Sequence, residues 1–185
     1  MIRPNYFLAI QLPKQLKEEL RVFAEQSEEL LAFKRWVHYD DLHITLAFLG
    51  GCSEEQVEQV ITTCKQHAFN EPYHLTVSGF GTFGRPNHPR IFWLGIEKSQ
   101  QLNRHRQHVF SAMEEIGFSL DQRPFSPHIT MARKWNETFP FSANDIPSLQ
   151  LSEKCWLVEE YVLYKTHMNK RPSYEVVERF PLTGV

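Results

Sequence analysis

The sequence predicts an α+β fold built on antiparallel sheets, and three observations lead there. Segments whose apolar residues alternate with period two are interleaved with segments of helical period, the marks of half-buried strands and of amphipathic helices. Several strand segments follow one another with only turn residues between them, which suits hairpins better than the strand–helix alternation of a parallel sheet. One motif also occurs in each half of the chain, as His43-Ile44-Thr45 and as His128-Ile129-Thr130, each time inside an apolar run. That echo points to two pseudo-equivalent lobes.

In order along the chain, YFLAIQL (Tyr6 to Leu12) reads as a strand stopped by Pro13, which has no N–H for a sheet ladder. From Lys14 to Phe33, Leu16, Leu20, Phe23, Leu30 and Leu31 recur at helical spacing among Glu and Lys, which predicts one amphipathic helix. HITLAFL reads as a strand that Gly50-Gly51 should end. Ser53-Glu54-Glu55-Gln56 is a capping-box pattern, and the helix it opens should bury Val57, Val60, Ile61 and Cys64. YHLTVSGFGTF and RIFWLGI read as strands around the turn-rich GRPNHP. Ser99 is placed to cap a third helix through Leu102, Val109, Met113 and Ile116, with Gly117 as its stop. FSPHITMAR, KCWLVEEYVLYK and SYEVVERFPL complete the chain as strands.

Composition bounds what such a fold does. At 185 residues with 42% hydrophobic content and 13% aromatics, the chain fits one globular domain, residues 1–185, made of two lobes. A net charge of −2 excludes a protein that coats nucleic acid through bulk charge, but leaves room for a small anion in a locally basic pocket. Cys52, Cys64 and Cys155 are odd in number, widely spaced and form no C-x-x-C pair. That argues against a disulfide framework or a cysteine zinc site and suits a reducing, cytoplasmic setting. The opening MIRPNYFLAIQLP is too short an apolar run for a signal peptide or a membrane span, so no membrane partner is expected.

The motif carries the chemistry. With nine His and nine Thr in the chain, random order would give roughly half a His-x-Thr triplet. There are three, counting His74-Leu75-Thr76, and two of them share both the middle Ile and an apolar fourth residue, Leu46 or Met131. Strand alternation puts His43, Thr45 and Ala47 on one face, with Ile44, Leu46 and Phe48 on the other. In the second copy His128, Thr130 and Ala132 oppose Ile129 and Met131. If the strands lie side by side, two imidazoles and two hydroxyls face one cleft. A neutral imidazole can take a proton from water while a protonated one gives a proton to a leaving oxygen, which is enough to cleave a phosphoester without metal. The Thr hydroxyls can donate to phosphoryl oxygens. Arg133 would add charge, although alternation places it on the Ile129 side unless the strand twists or ends there. His74 is expected to be an ordinary strand residue, His105 and His108 to lie on the solvated side of their helix, and Arg104, Arg106, Lys170 and Arg171 to be surface charge.

These motifs resemble the H-x-[ST]-x signatures of the 2H phosphoesterases, and within that superfamily the RNA 2′,3′-cyclic phosphodiesterases, also described as 2′-5′ RNA ligases and including ThpR-like proteins. YFLAIQLP, WVHYDDLHITLAFLG, PYHLTVSGFGTF, PRIFWLGI, FSPHITMAR, VLYKT and RFPL resemble the family's blocks in the right order along nearly the whole chain. The resemblance implies a bilobal fold of two pseudo-symmetric antiparallel sheets flanked by helices around a central cleft. It implies hydrolysis of RNA 2′,3′-cyclic phosphate ends, or of small nucleotides bearing that group, to 2′-phosphomonoesters by a monomer without metal or cofactor. His43 would then donate a proton to the leaving oxygen and His128 accept one from water. Thr45, Thr130 and Arg133 would bind the phosphate. Lys165 stands where an acidic residue is common in the family. A nucleotide- or RNA-end-binding module of the same fold without turnover is the alternative reading, and no H-E-x-x-H spacing favours a metal hydrolase.

Overall fold

The computed structural model describes residues 3–69 and 71–182. Nine strands, Asn5–Gln11 (β1), Phe33–Trp36 (β2), His43–Gly51 (β3), Tyr73–Arg85 (β4), His88–Ile96 (β5), His128–Trp135 (β6), Cys155–Val158 (β7), Glu160–Thr166 (β8) and Tyr174–Pro181 (β9), alternate with three helices, Lys14–Ser27 (α1), Glu54–Gln66 (α2) and Gln100–Glu115 (α3). The antiparallel strands run in the order β7-β4-β5-β6-β3-β1-β8-β9, with β2 added on β6. The order is two mirrored sets of four, joined at the centre by the two motif strands. The join is a single registered pair, Ile44↔Ile129. Both isoleucines are fully buried, each burial being worth about 1.5–3 kcal/mol.

The helices cover one face of this sheet. Phe23 of α1 stacks on Phe80 at 4.6 Å, α3 packs across β3 and β4, and α2 packs on α3 and β9. On the opposite face a small aromatic cluster of Phe7, Ala9, Val162 and Tyr164 lies beside the motif strands. The capping signals work as expected. Ser53 Oγ accepts from Gln56 N–H while Gln56 returns a bond to Ser53 N–H, Ser99 Oγ accepts from Leu102 N–H, and Gly117 takes φ 92 after α3. Val60 and Cys64 are buried in α2, while Val57 and Ile61 are only partly so.

Several expectations are corrected. The first helix stops at Ser27, whose hydroxyl donates to the Phe23 carbonyl at 2.7 Å. Leu30 is then left 61% exposed, and Phe33, instead of closing the helix, opens the strand Phe33–Trp36 on β6. Gly50 and Gly51 are themselves the last residues of β3, Gly51 still pairing with Asn5 before the strand ends there. KCWLVEEYVLYK is two strands that pair in different halves, β7 on β4 and β8 on β1. His105 is buried, not solvated: it sits on the apolar side of α3 with Leu102, Val109 and Met113. Among the described residues no helix is long and apolar enough to cross a membrane.

The two-residue alternation also breaks, at the same place in both motif strands. Ala9 pairs with Thr45 and Leu8 with Ala47, so Leu46 is an extra residue. Trp93 pairs with Thr130 and Phe92 with Ala132, so Met131 is an extra residue. Each is a β-bulge, which lets two consecutive residues face the core and reverses the phase beyond it. Ala47 and Ala132 are therefore buried in the core, against expectation, while Phe48 is 58% exposed and Arg133 comes out on the histidine side.

Candidate active site

Antiparallel register about Ile44↔Ile129 sets His43 across from Thr130 and Thr45 across from His128, all four on the face opposite the buried isoleucines. His43, His128 and Thr130 are half-buried and Thr45 is exposed. The structure thus brings together both histidines and both threonines singled out by sequence, and the bulge at Met131 adds Arg133.

The two imidazoles are held in the same way. His43 Nδ1–H donates to the Asp41 carbonyl at 2.6 Å, and His128 Nδ1–H donates to the Ser126 carbonyl at 2.7 Å. A carbonyl only accepts, so each Nδ1 carries its proton and each Nε2 is left as the working atom. His43 Nε2 lies 3.1 Å from Thr45 Oγ1. Aromatic rings fix both planes: Phe7 at 4.8 Å and Tyr174 edge-on at 5.3 Å from His43, and Phe83 edge-on at 4.9 Å from His128. Trp93, 6.3 Å from His128, lies on Gly81, where a Cβ would come within 2.2 Å of the indole.

Burial pushes the His43 pKa down to about 4, with Arg133 and His128 adding to the effect and the Asp41 carbonyl opposing it. Burial lowers the His128 pKa as well, again helped by Arg133 and opposed by the Ser126 carbonyl. Both shifts favour the neutral imidazole at pH 7. An anion bound between them would favour protonation of either one.

Sequence reasoning missed four residues around this centre. Asp41 is buried, and its carboxylate accepts from Ser173 N–H at 2.7 Å and Tyr174 N–H at 3.0 Å, while its own carbonyl holds His43. Tyr174 packs on His43 from β9. Phe48 occupies in β3 the place that Arg133 occupies in β6, an exposed ring on the histidine face. Arg35 of β2 pairs directly with Arg133. A cleft of about 510 Å³ opens from Asp41, Arg133 and Tyr174 and continues past Arg35, Lys170 and Arg171. Lys170 and Arg171 are exposed as expected, but they line this cleft.

Other candidates lie elsewhere. His74 is exposed on β4 and pairs with Leu157, away from both motif strands. Lys165 pairs with Tyr6 and Glu175, while its neighbour Tyr164 is the residue that faces His43. Arg104 is on the surface, bonded to Glu71, and Arg106 lies half-buried over the Phe110 ring at 3.7 Å. His108 bonds the His67 carbonyl at 2.5 Å. Among the described residues no group of three or more His, Cys, Asp or Glu side chains is arranged to hold a metal ion.

Comparison with known proteins follows the same two halves. The model of LigT like Phosphoesterase matches twice, over residues 10–93 and 94–174. An RNA 2′,3′-cyclic phosphodiesterase of Geobacillus stearothermophilus is 41% identical over the whole of this chain, which spans 59% of that protein's length. One of Bacillus subtilis is 33% identical over 98% of both chains. The crystal structure of E. coli LigT complexed with 3′-AMP superposes with a TM-score of 0.80 at 26% identity, covering 98% of this chain and 100% of that one. The duplication visible in the strands, with His43 and His128 at equivalent places, is also the one that the family model matches half by half, and the chain belongs to the LigT-like phosphoesterases, a 2H phosphoesterase family.

Proposed function

We propose that this chain hydrolyses 2′,3′-cyclic phosphodiester ends of RNA to 2′-phosphomonoesters, and that residues 1–185 do so as one two-lobed domain. The observation that carries the reading is the matched pair of imidazoles, each with Nδ1–H tied to the carbonyl two residues before it, so that Nε2 is left as the atom to exchange a proton with substrate. Its full-length relatives of that name support the substrate class.

The cyclic phosphodiester anion sits between the motif strands. Thr45 and Thr130 hydroxyls and the Arg133 guanidinium hold its non-bridging oxygens and gain strength as charge builds on them. Neutral His128 takes a proton from water at Nε2 as the water oxygen attacks phosphorus. The P–O3′ bond breaks, and His43 gives its Nε2 proton to O3′. The pKa of about 4 makes protonated His43 a strong acid, and the bound anion offsets the cost of protonating it. The protons end exchanged between the two imidazoles and return through solvent. Every proton transfer and charge contact comes from a side chain of this chain.

The test is turnover of an oligoribonucleotide with a 2′,3′-cyclic phosphate end in excess EDTA, with the product identified. A 2′-phosphomonoester formed at an undiminished rate is expected. Tight binding without product would favour a binding module, and activity lost to EDTA and restored by a divalent ion would overturn the mechanism.

A further inference from the structure

Resting on that reading, we propose that the cleft beside Arg133 is a second phosphate subsite, which holds the phosphodiester on the 5′ side of the terminal nucleotide and so makes the site prefer an RNA chain end over a mononucleotide.

The charges make the case. Arg35 and Arg133 are direct cross-strand partners, so their side chains share a face. Like charges in that position destabilise a strand pair. Lys170 and Arg171 approach the same cleft from the segment before β9. Among the described residues, none of these four cations has a carboxylate within ion-pairing distance, so their charges stand together without a local counter-ion. Asp41 is the one acidic residue lining the cleft among the described residues, and both its oxygens are taken by backbone N–H groups.

A single scissile phosphodiester carries one negative charge, which Arg133, two hydroxyls and an imidazolium already meet. Arg35, Lys170 and Arg171 are surplus to it and lie to one side. The volume of about 510 Å³ is within the usual range for a small-ligand pocket. A 2′,3′-cyclic phosphate closes the 3′ end of a chain, so the next anion available can only be the phosphodiester 5′ to that nucleoside. The bulge at Met131 is what aims Arg133 at both phosphates, since without it the side chain would face the core.

The experiment compares a 2′,3′-cyclic mononucleotide with a dinucleotide ending in the same group, using the whole protein and its Arg35→Ala, Arg171→Ala and double variants. The wild type should turn over the dinucleotide with the higher kcat/KM, and with a log–log salt slope steeper by about 0.7, the value for one more single-strand phosphate. Each single substitution should lower kcat/KM on the dinucleotide roughly three- to tenfold, between an exposed ion pair and a charged hydrogen bond. The double variant should bring it to the mononucleotide level, while mononucleotide turnover stays unchanged in all variants. Equal wild-type turnover of the two substrates, or variants that impair both substrates alike, would overturn the subsite while leaving the cyclic phosphodiesterase reading in place. No turnover of either substrate would instead count against that reading.

Discussion

Asp41 joins the loop before β9 to the histidine centre, and its removal should affect both stability and rate. The carboxylate is 4% exposed and accepts two backbone N–H groups, at 2.7 and 3.0 Å. In Asp41→Asn one oxygen becomes an NH₂ facing a donor, so one charge-assisted bond is lost, at a cost of about 1.5–3 kcal/mol. For a chain of this size that is a fall in Tm of about 3–12 °C. Asp41→Ala removes both acceptors, and two such bonds set an upper bound of about 6 kcal/mol, reduced by whatever water enters. Freed from Asp41, Ser173 and Tyr174 no longer hold the ring that packs edge-on against His43 at 5.3 Å. Since a misplacement of about 1 Å can cost 10²-fold, kcat/KM in Asp41→Asn should fall roughly tenfold or more. Thermal denaturation and turnover of a cyclic-phosphate RNA end measure the two effects, with Asp40→Asn as the exposed control. An Asp41→Asn protein with the wild-type Tm and rate would refute the claim that this carboxylate positions the site.

Other expectations follow from the same geometry. In the free enzyme the base must be neutral and the acid protonated, so kcat/KM should be bell-shaped; with both imidazole pKa values lowered, and His43 at about 4, its maximum should lie below pH 6.5, whereas unperturbed imidazoles would put it near neutrality. A maximum at or above pH 7 would contradict this. Thr45→Ala and Thr130→Ala should each cost about 1.5–3 kcal/mol of transition-state stabilisation in kcat/KM, less than loss of either histidine. His105 is buried against Phe69 with its Nδ1 2.9 Å from the Tyr73 hydroxyl, and burial drives its pKa down to about 3. The unfolded chain then binds one more proton than the fold between pH 6.5 and 3, so stability is complete above pH 6.5 and falls by about 1.4 kcal/mol per unit below it. Urea denaturation of His105→Leu from pH 7 to 5 should show a slope shallower by that amount, and an unchanged slope would refute it.

Much of this was legible in the sequence because the signals were local. The capping box at Ser53, the Ser99 cap and the Gly117 stop each depend on residues within one turn. The duplicated motif located both histidines because a two-residue period determines which side chains share a face. The bulges were not legible. Leu46-Ala47 and Met131-Ala132 are apolar pairs, so an inserted residue leaves the hydrophobic pattern unchanged while reversing everything after it. The one clue was Arg133, a charge that strict alternation would have pointed into the core. Strand β2 was hidden because Leu30 and Leu31 extend the helical pattern of α1 past its real end. His105 was readable in principle, since it lies three residues after Leu102 and four before Val109 on the buried stripe of α3. Arg35 and Asp41 depend on pairings with residues far along the chain, which no local pattern records.

The central claim is that two imidazoles act as one acid–base unit, and a double-mutant cycle on kcat/KM for a cyclic-phosphate RNA end tests it most directly. His43→Ala and His128→Ala should each lose roughly 10²-fold or more, and the double variant should be scarcely worse than either, because removing one proton carrier already disables the pair. Losses that multiply in the double variant, or a single variant that keeps near wild-type turnover, would contradict the account.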